Sequence, residues 1–289
     1  MKKFCKQHIG IFVIGLLIFA LFSNLITGFF QNMFAKDIAQ YYWIEAVCKC
    51  VISILPLALM VKWGYVGKSN AKKIGIGFLI GAVLILFCLP NVVPFMFIDS
   101  AYMIADWSAV FAIGMAALSI GLMEEAGIRG VFLPLLYEKW NGKKHAYMKA
   151  AIVSSLVFGC IHLNWSVRYL LANGNLPLDQ FLGNLYQVYY TFCFGIFAAG
   201  VTIYTRSILP MVFWHGICDF VAFLPNGLYP QRTLEYFIQK NWGTLQSVLD
   251  EYGIAMPEEV IHGLINLVLL LVGILLIRKT EKTTELKQR

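Results

Sequence analysis

Charge is scarce in this sequence: Asp, Glu, Lys and Arg make up 13% of its 289 residues, where an ordinary soluble domain carries about 25%. A soluble chain of this length would bury a large core but would still need a polar surface, and these residues cannot supply one. Other absences narrow the reading further. No Gly/Ser linker or low-complexity tract divides the chain, so it reads as a single domain over residues 1–289. No repeat of fixed length stands out, which argues against a repeat array. The seven cysteines (Cys5, Cys48, Cys50, Cys88, Cys160, Cys193 and Cys218) are scattered, mostly within apolar runs, and show neither a disulfide framework nor a zinc-knuckle spacing. The helical zinc signature of two histidines with a glutamate between them is missing.

What is present is apolar. Hydrophobic residues make up 59% of the chain and mean hydropathy is +0.70. Uncharged apolar runs of about 18 residues or more read as membrane-spanning helices. Eight crossings are expected, starting near Ile9, Tyr41, Ile74, Met103, Met148, Asn184, Ile208 and His262. The fold class is therefore an all-α, polytopic transmembrane helix bundle of about eight spans. Lys2, Lys3 and Lys6 precede the first run as in a signal peptide, but the run from Ile9 to about Phe30 is too long for a signal core and is read as a retained span.

The net charge of +7 fits cytoplasmic loops rather than nucleic-acid binding. Lys62, Lys68, Lys72 and Lys73 lie between spans two and three. Lys139, Lys143, Lys144 and Lys149 lie between spans four and five, Arg206 between six and seven, and Arg278, Lys279, Lys282, Lys287 and Arg289 after the last. The stretch from Pro225 to Val260 is acidic, with Glu235, Asp250, Glu251, Glu258 and Glu259. The positive-inside rule places both termini in the cytoplasm of a multi-pass cell-membrane protein, and an even number of crossings agrees.

Ionisable groups inside spans are costly and need an explanation. The strongest group is Glu124-Glu125-Ala126-Gly127-Ile128-Arg129. On a helix Glu125 and Arg129 are four apart and can pair, while Glu124 points about 100° away from Glu125 and stays available. The bland alternative is a structural ion pair at a kink near Gly127. In Phe158-Gly159-Cys160-Ile161-His162 the ring and the imidazole share a helix face. In His215-Gly216-Ile217-Cys218-Asp219 the same spacing lets the carboxylate orient the imidazole; the alternative is a buried polar pair joining helices. Glu45 and Lys49, also four apart, are expected to pair with each other, and His8, His145 and His262 fall at loops or span ends.

Depth allows the three groups to meet. At 1.5 Å per residue, His162 lies about 20 Å from Lys149 and Glu124 about 22 Å from Lys139, while His215 and Asp219 lie about 13 and 20 Å from Arg206. All fall within a hydrocarbon layer of about 30 Å. Two acids and two histidines at one site suit hydrolysis of an acyl bond in either of two ways. A glutamate can deprotonate water while histidines stabilise the oxyanion. Alternatively Glu124, His162, His215 and Asp219 could hold a divalent metal such as zinc that activates the water.

Taken in order, the three motifs resemble the CPBP family of intramembrane proteases, which includes CAAX-processing and bacteriocin-processing (Abi-type) enzymes. The family pattern is Glu-Glu-x-x-x-Arg, Phe-x-x-x-His and His-x-x-x-Asn/Asp, matched here by Glu124, Glu125, Arg129, Phe158, His162, His215 and Asp219 over a core of about residues 103–223. The resemblance implies an endopeptidase in which Glu124 activates water with His162, and His215 and the residue at 219 hold the oxyanion. Glu125 and Arg129 would support the site. An ionised Asp219 would repel an oxyanion, so it must be protonated, orient His215 or bind a metal. The implied partners are the lipid bilayer and a membrane-associated peptide or protein: a CAAX protein, a pheromone or bacteriocin precursor, or another membrane protein. Two other readings compete. One is a non-catalytic immunity or partner protein of the same fold; the other is a transporter with an ion site, disfavoured by the lack of paired repeats.

Overall fold

A computed structural model of the chain describes residues 1–65, 69–86, 88, 105–229, 250, 253 and 258–288. Its described elements are helical. Met103, Lys68, Glu235, Glu251 and most of the acidic stretch before Val260 lie outside the described residues.

A short helix α1 (Lys2–Gln7) leads into α2 (Ile9–Phe34) and α3 (Ile38–Trp63). The Asp37 side chain caps α3 by accepting from Gln40 N at 2.8 Å, and Gly64 ends it in the left-handed conformation at φ +73°. Helix α4 (Ala71–Gly81) starts at Asn70, which accepts from Lys73 N at 2.8 Å. Helix α5 (Trp107–Glu125) is capped by Asp106, which accepts from Ser108 N and Ala109 N. A π-helical stretch, Ala126–Phe132, continues α5 into α6 (Leu133–Trp140). Then follow α7 (Ala146–Ile161), α8 (Asn164–Asn173), α9 (Leu178–Thr205), α10 (Leu209–Phe223), the single turn α11 (Pro225–Leu228) and α12 (Glu258–Gln288).

Five described helices are long and apolar enough to cross a membrane: Ile9–Phe34, Ile38–Trp63, Trp107–Trp140, Gln180–Thr205 and Val260–Thr284. Ala146–Ile161 and Leu209–Phe223 are shorter apolar helices. Only 6% of the most apolar window of α2 is buried, and Ile11, Phe22, Leu25 and Phe29 stand exposed on it. Such a surface belongs in lipid, where apolar side chains carry no penalty. The protein is a multi-pass membrane protein.

The helix that presents Glu124 and the helix that presents His215 cross at glycine. A Cβ on Gly121 of α5 would sit 2.9 Å from Val212 O and 3.1 Å from Gly216 N of α10. A Cβ on Gly216 would sit 2.8 Å from Leu118 Cδ2. Glycine at both crossing points lets the two backbones approach closely, as small residues do between membrane helices. Below this crossing, Ile128, Phe158, Phe194, Phe197 and Met211 form a packed apolar cluster.

Candidate active site

Adjacent residues at the end of α5 face apart. The Glu125 side chain is fully buried, whereas that of Glu124 is 20% exposed. Arg129, on the π-helical stretch, donates from Nη1 to Glu125 Oε1 at 3.0 Å, and both side chains are sealed from solvent. The Arg129 guanidinium also stacks over the Phe158 ring, 4.2 Å from its centroid. The aromatic face offers partial compensation for a buried cation. The expected ion pair thus forms, but within a π-helix rather than a continuous α-helix. Such single-turn insertions occur often at functional sites.

Glu125 also accepts from His215: Nδ1 lies 2.9 Å from Oε1. The spacing also lets Asp219, one turn away on the same helix, orient His215. The structure gives the Nδ1 contact to Glu125, while Asp219 Oδ2 lies 3.7 Å from Nε2 on the far side of the ring. Glu124 Oε2 approaches the same Nε2 at 3.6 Å. His215 therefore has one nitrogen tied to a buried carboxylate and the other turned toward two further acids. The ring itself packs against Phe194, with centroids 4.9 Å apart, and edge-on to Phe158 at 6.0 Å.

His162 stands at the C-terminal end of α7. Its Nδ1 lies 3.0 Å from Phe158 O, one turn back. A donor bond there places the proton on Nδ1 and leaves Nε2 as an acceptor. The Phe158 and His162 rings meet edge to face at 5.0 Å and 82°.

Glu124, His162, His215 and Asp219 all line one cavity of about 610 Å³. All four side chains that the motifs single out are thus brought to one space, with Phe158 in its wall and Glu125 and Arg129 buried behind it. Asp219 Oδ2 and Glu125 Oε2 have no hydrogen-bond partner among the described residues. Among the described residues, no group of three or more His, Cys, Asp or Glu side chains that could hold a metal ion is found. With Nδ1 of His215 held by Glu125 and Nδ1 of His162 held by Phe158 O, each histidine has only Nε2 left to act.

Residues 106–221 match the family model of the type II CAAX prenyl endopeptidases, Rce1-like. The match covers less than half of the chain but includes all seven motif residues. No curated protein and no solved structure gives a match.

The matched segment, residues 106–221, does not close the cavity by itself. Helices α2 and α3 add Asn24, Thr27, Gln31, Tyr42, Glu45 and Lys49 to its wall, and α12 adds His262 and Asn266. His262 falls near a span end in the sequence; its ring packs against Tyr186 in the cavity wall, with centroids 6.5 Å apart. Glu45 and Lys49 interact electrostatically, as their spacing predicts, and each also has other partners. Lys49 Nζ donates to Ser23 Oγ at 3.1 Å and Asn24 Oδ1 at 2.6 Å, and Glu45 Oε2 accepts from Gln31 Nε2 at 3.2 Å. The legible signal for these residues was their cost: each is a polar or charged group inside an apolar run.

Proposed function

We propose that this protein is an intramembrane endopeptidase of the CAAX-processing type, which uses Glu124 and His162 to activate water. The observation that carries this reading is the convergence of Glu124, His162, His215 and Asp219 on one cavity. The Rce1-like match supports it. The substrate class is a membrane-associated peptide or protein with a prenylated cysteine near its C-terminus, and both termini of the enzyme face the cytoplasm.

The chemistry follows from which groups are free to act. Glu125 and Arg129 neutralise each other and are sealed from the cavity, so Glu124 is the acid that reaches water. Glu124 takes a proton from a water held also by His162 Nε2, and the hydroxide attacks the scissile carbonyl. Negative charge then develops on the carbonyl oxygen. His215 can donate to it only from Nε2, because its Nδ1 proton is committed to Glu125. Donation therefore calls for the doubly protonated ring, for which the Glu125 carboxylate at Nδ1 supplies counter-charge. Asp219, whose Oδ2 has no hydrogen-bond partner among the described residues, joins as a donor in its protonated form. On collapse of the intermediate, the proton held by Glu124 passes to the leaving amine, which restores the carboxylate.

The test is cleavage of a farnesylated CAAX peptide by purified protein, compared with Glu124→Ala. Wild-type protein should cut and the variant should not, with equal thermal stability. Cleavage by Glu124→Ala at the wild-type rate overturns the reading. Normal cellular function of all four site variants would instead favour the non-catalytic partner protein.

A further inference from the structure

We propose that Asn266 of α12 binds the backbone of the substrate peptide, its Oδ1 accepting from a peptide N–H, a contact supplied by a helix outside the matched segment. This inference rests on the protease reading above.

Asn266 is 2% exposed and lies inside the apolar stretch of α12 that is long enough to cross the membrane. At 1.5 Å per residue it stands about 18 Å from Arg278, within the hydrocarbon layer. A polar side chain at that depth is costly and needs an explanation. The common one is a hydrogen bond between helices. Asn266 Oδ1 makes none among the described residues. A buried carbonyl oxygen left unmatched carries its full desolvation cost until a donor reaches it.

The fold holds this amide at the reaction site. Asn266 lines the same cavity as Glu124, His162, His215 and Asp219. Leu269 and Ile277 further along α12 are fully buried, so Asn266 shares the inward face of its helix. Helices α9 and α12 touch at glycine: a Cβ on Gly273 would sit 2.6 Å from Ile196 O, and one on Gly200 would sit 2.7 Å from Gly273 O. One turn before Asn266, the His262 ring packs against Tyr186 of α9. Contacts on both sides of Asn266 thus keep its helix face turned to the cavity.

The occupant must bring a donor, and a peptide does. Each non-proline residue of an extended chain carries a backbone N–H that has no partner within the chain itself. On entering the membrane that N–H loses its water, and an acceptor in the cavity wall replaces it. Other amides of the wall are engaged or exposed. Asn24 Oδ1 accepts from Lys49 Nζ, Gln31 Nε2 donates to Tyr41 O and Glu45 Oε2, and Gln187 hydrogen-bonds Tyr190. Asn32 is exposed. Among the described residues of the wall, Asn266 is the buried amide whose oxygen is unmatched.

The test is a binding measurement that needs no turnover. The probes are a fluorescent farnesyl peptide ending in cysteine, two aliphatic residues and methionine, and analogues of it that are each N-methylated at one backbone nitrogen. N-methylation removes a single N–H and leaves the side chains unchanged. Detergent-solubilised full-length protein carrying Glu124→Ala should bind one analogue about tenfold more weakly than the parent. Adding Asn266→Leu should weaken the parent by about the same factor and erase that difference. Its melting temperature should stay level or rise, because an unmatched polar group gives way to an apolar one of similar size. Asn266→Ala should show the same loss of discrimination. Equal affinity for the parent and every analogue overturns the proposal without any Asn266 variant, as does discrimination that survives both variants. A lower melting temperature in Asn266→Leu with discrimination intact assigns Asn266 to helix packing instead. Cleavage of the parent peptide by the wild-type protein, run in parallel, separates the two readings. Asn266-dependent discrimination without cleavage supports the backbone contact and removes the protease. Cleavage without discrimination removes the backbone contact alone.

Discussion

Glu125 Oε1 stands between Arg129 Nη1 at 3.0 Å and His215 Nδ1 at 2.9 Å, joining the first and third motifs through one buried oxygen. A single carboxylate thus balances a buried cation and fixes the orientation of an imidazole on another helix. The bond to His215 crosses 90 residues of sequence. Partners of this kind are as important to a site as the groups that touch substrate.

Removing one member of the buried pair should be worse than removing both. Arg129→Met leaves Glu125 charged and sealed from water, which should cost about 3–5 kcal/mol. The double variant Glu125→Leu, Arg129→Met should recover part of that loss while staying inactive, because His215 loses its anchor. Thermal unfolding in detergent, combined with peptide cleavage, checks both halves. A double variant less stable than Arg129→Met would count against the ion-pair account.

Glu125→Gln should keep the shape of the site yet lower its rate. The amide can still accept from His215 Nδ1 through its carbonyl oxygen, but it cannot supply the counter-charge for a doubly protonated ring. The expected loss is about 10²-fold in kcat with KM little changed. Steady-state cleavage kinetics would show this, and a loss confined to KM would assign Glu125 to substrate binding instead.

Position 219 tests how the oxyanion is held. Asp219→Asn should retain cleavage within about tenfold, because an amide donates where a protonated carboxyl would. Asp219→Ala should lose about 10²–10³-fold, the usual effect of deleting an oxyanion donor. If Asp219→Asn proves as damaging as Asp219→Ala, the carboxylate is needed as a base or ligand.

The glycine crossing should be sensitive to one methyl group. Gly121→Ala sets a Cβ 2.9 Å from Val212 O, a backbone atom that cannot swing aside. Forcing α5 and α10 apart should cost about 1–3 kcal/mol and weaken the 3.6 Å approach of Glu124 to His215. Gly127→Ala, whose added Cβ meets nothing within 4 Å, is the control that should leave packing undisturbed. Melting temperature and cleavage rate should fall together in the first and not in the second.

Much of this protein was written in its local sequence. Scarce charge and long apolar runs determined an all-α membrane bundle, because only helices satisfy their own backbone within lipid along one segment. Residue spacing determined that Glu124 and Glu125 face apart and that Glu125 meets Arg129, since those relations lie within one turn of a single helix. The order of the motifs pointed to a resemblance to the CPBP family. Spacing could not show that Glu125, rather than Asp219, holds His215, nor that the chain turns π-helical after Glu125. It could not show that Lys49, His262 and Asn266 join the same cavity. Those relations depend on which helix faces pack together, and helix packing in the bilayer is decided by close approach at small residues such as Gly121 and Gly216, over distances that sequence periodicity does not reach.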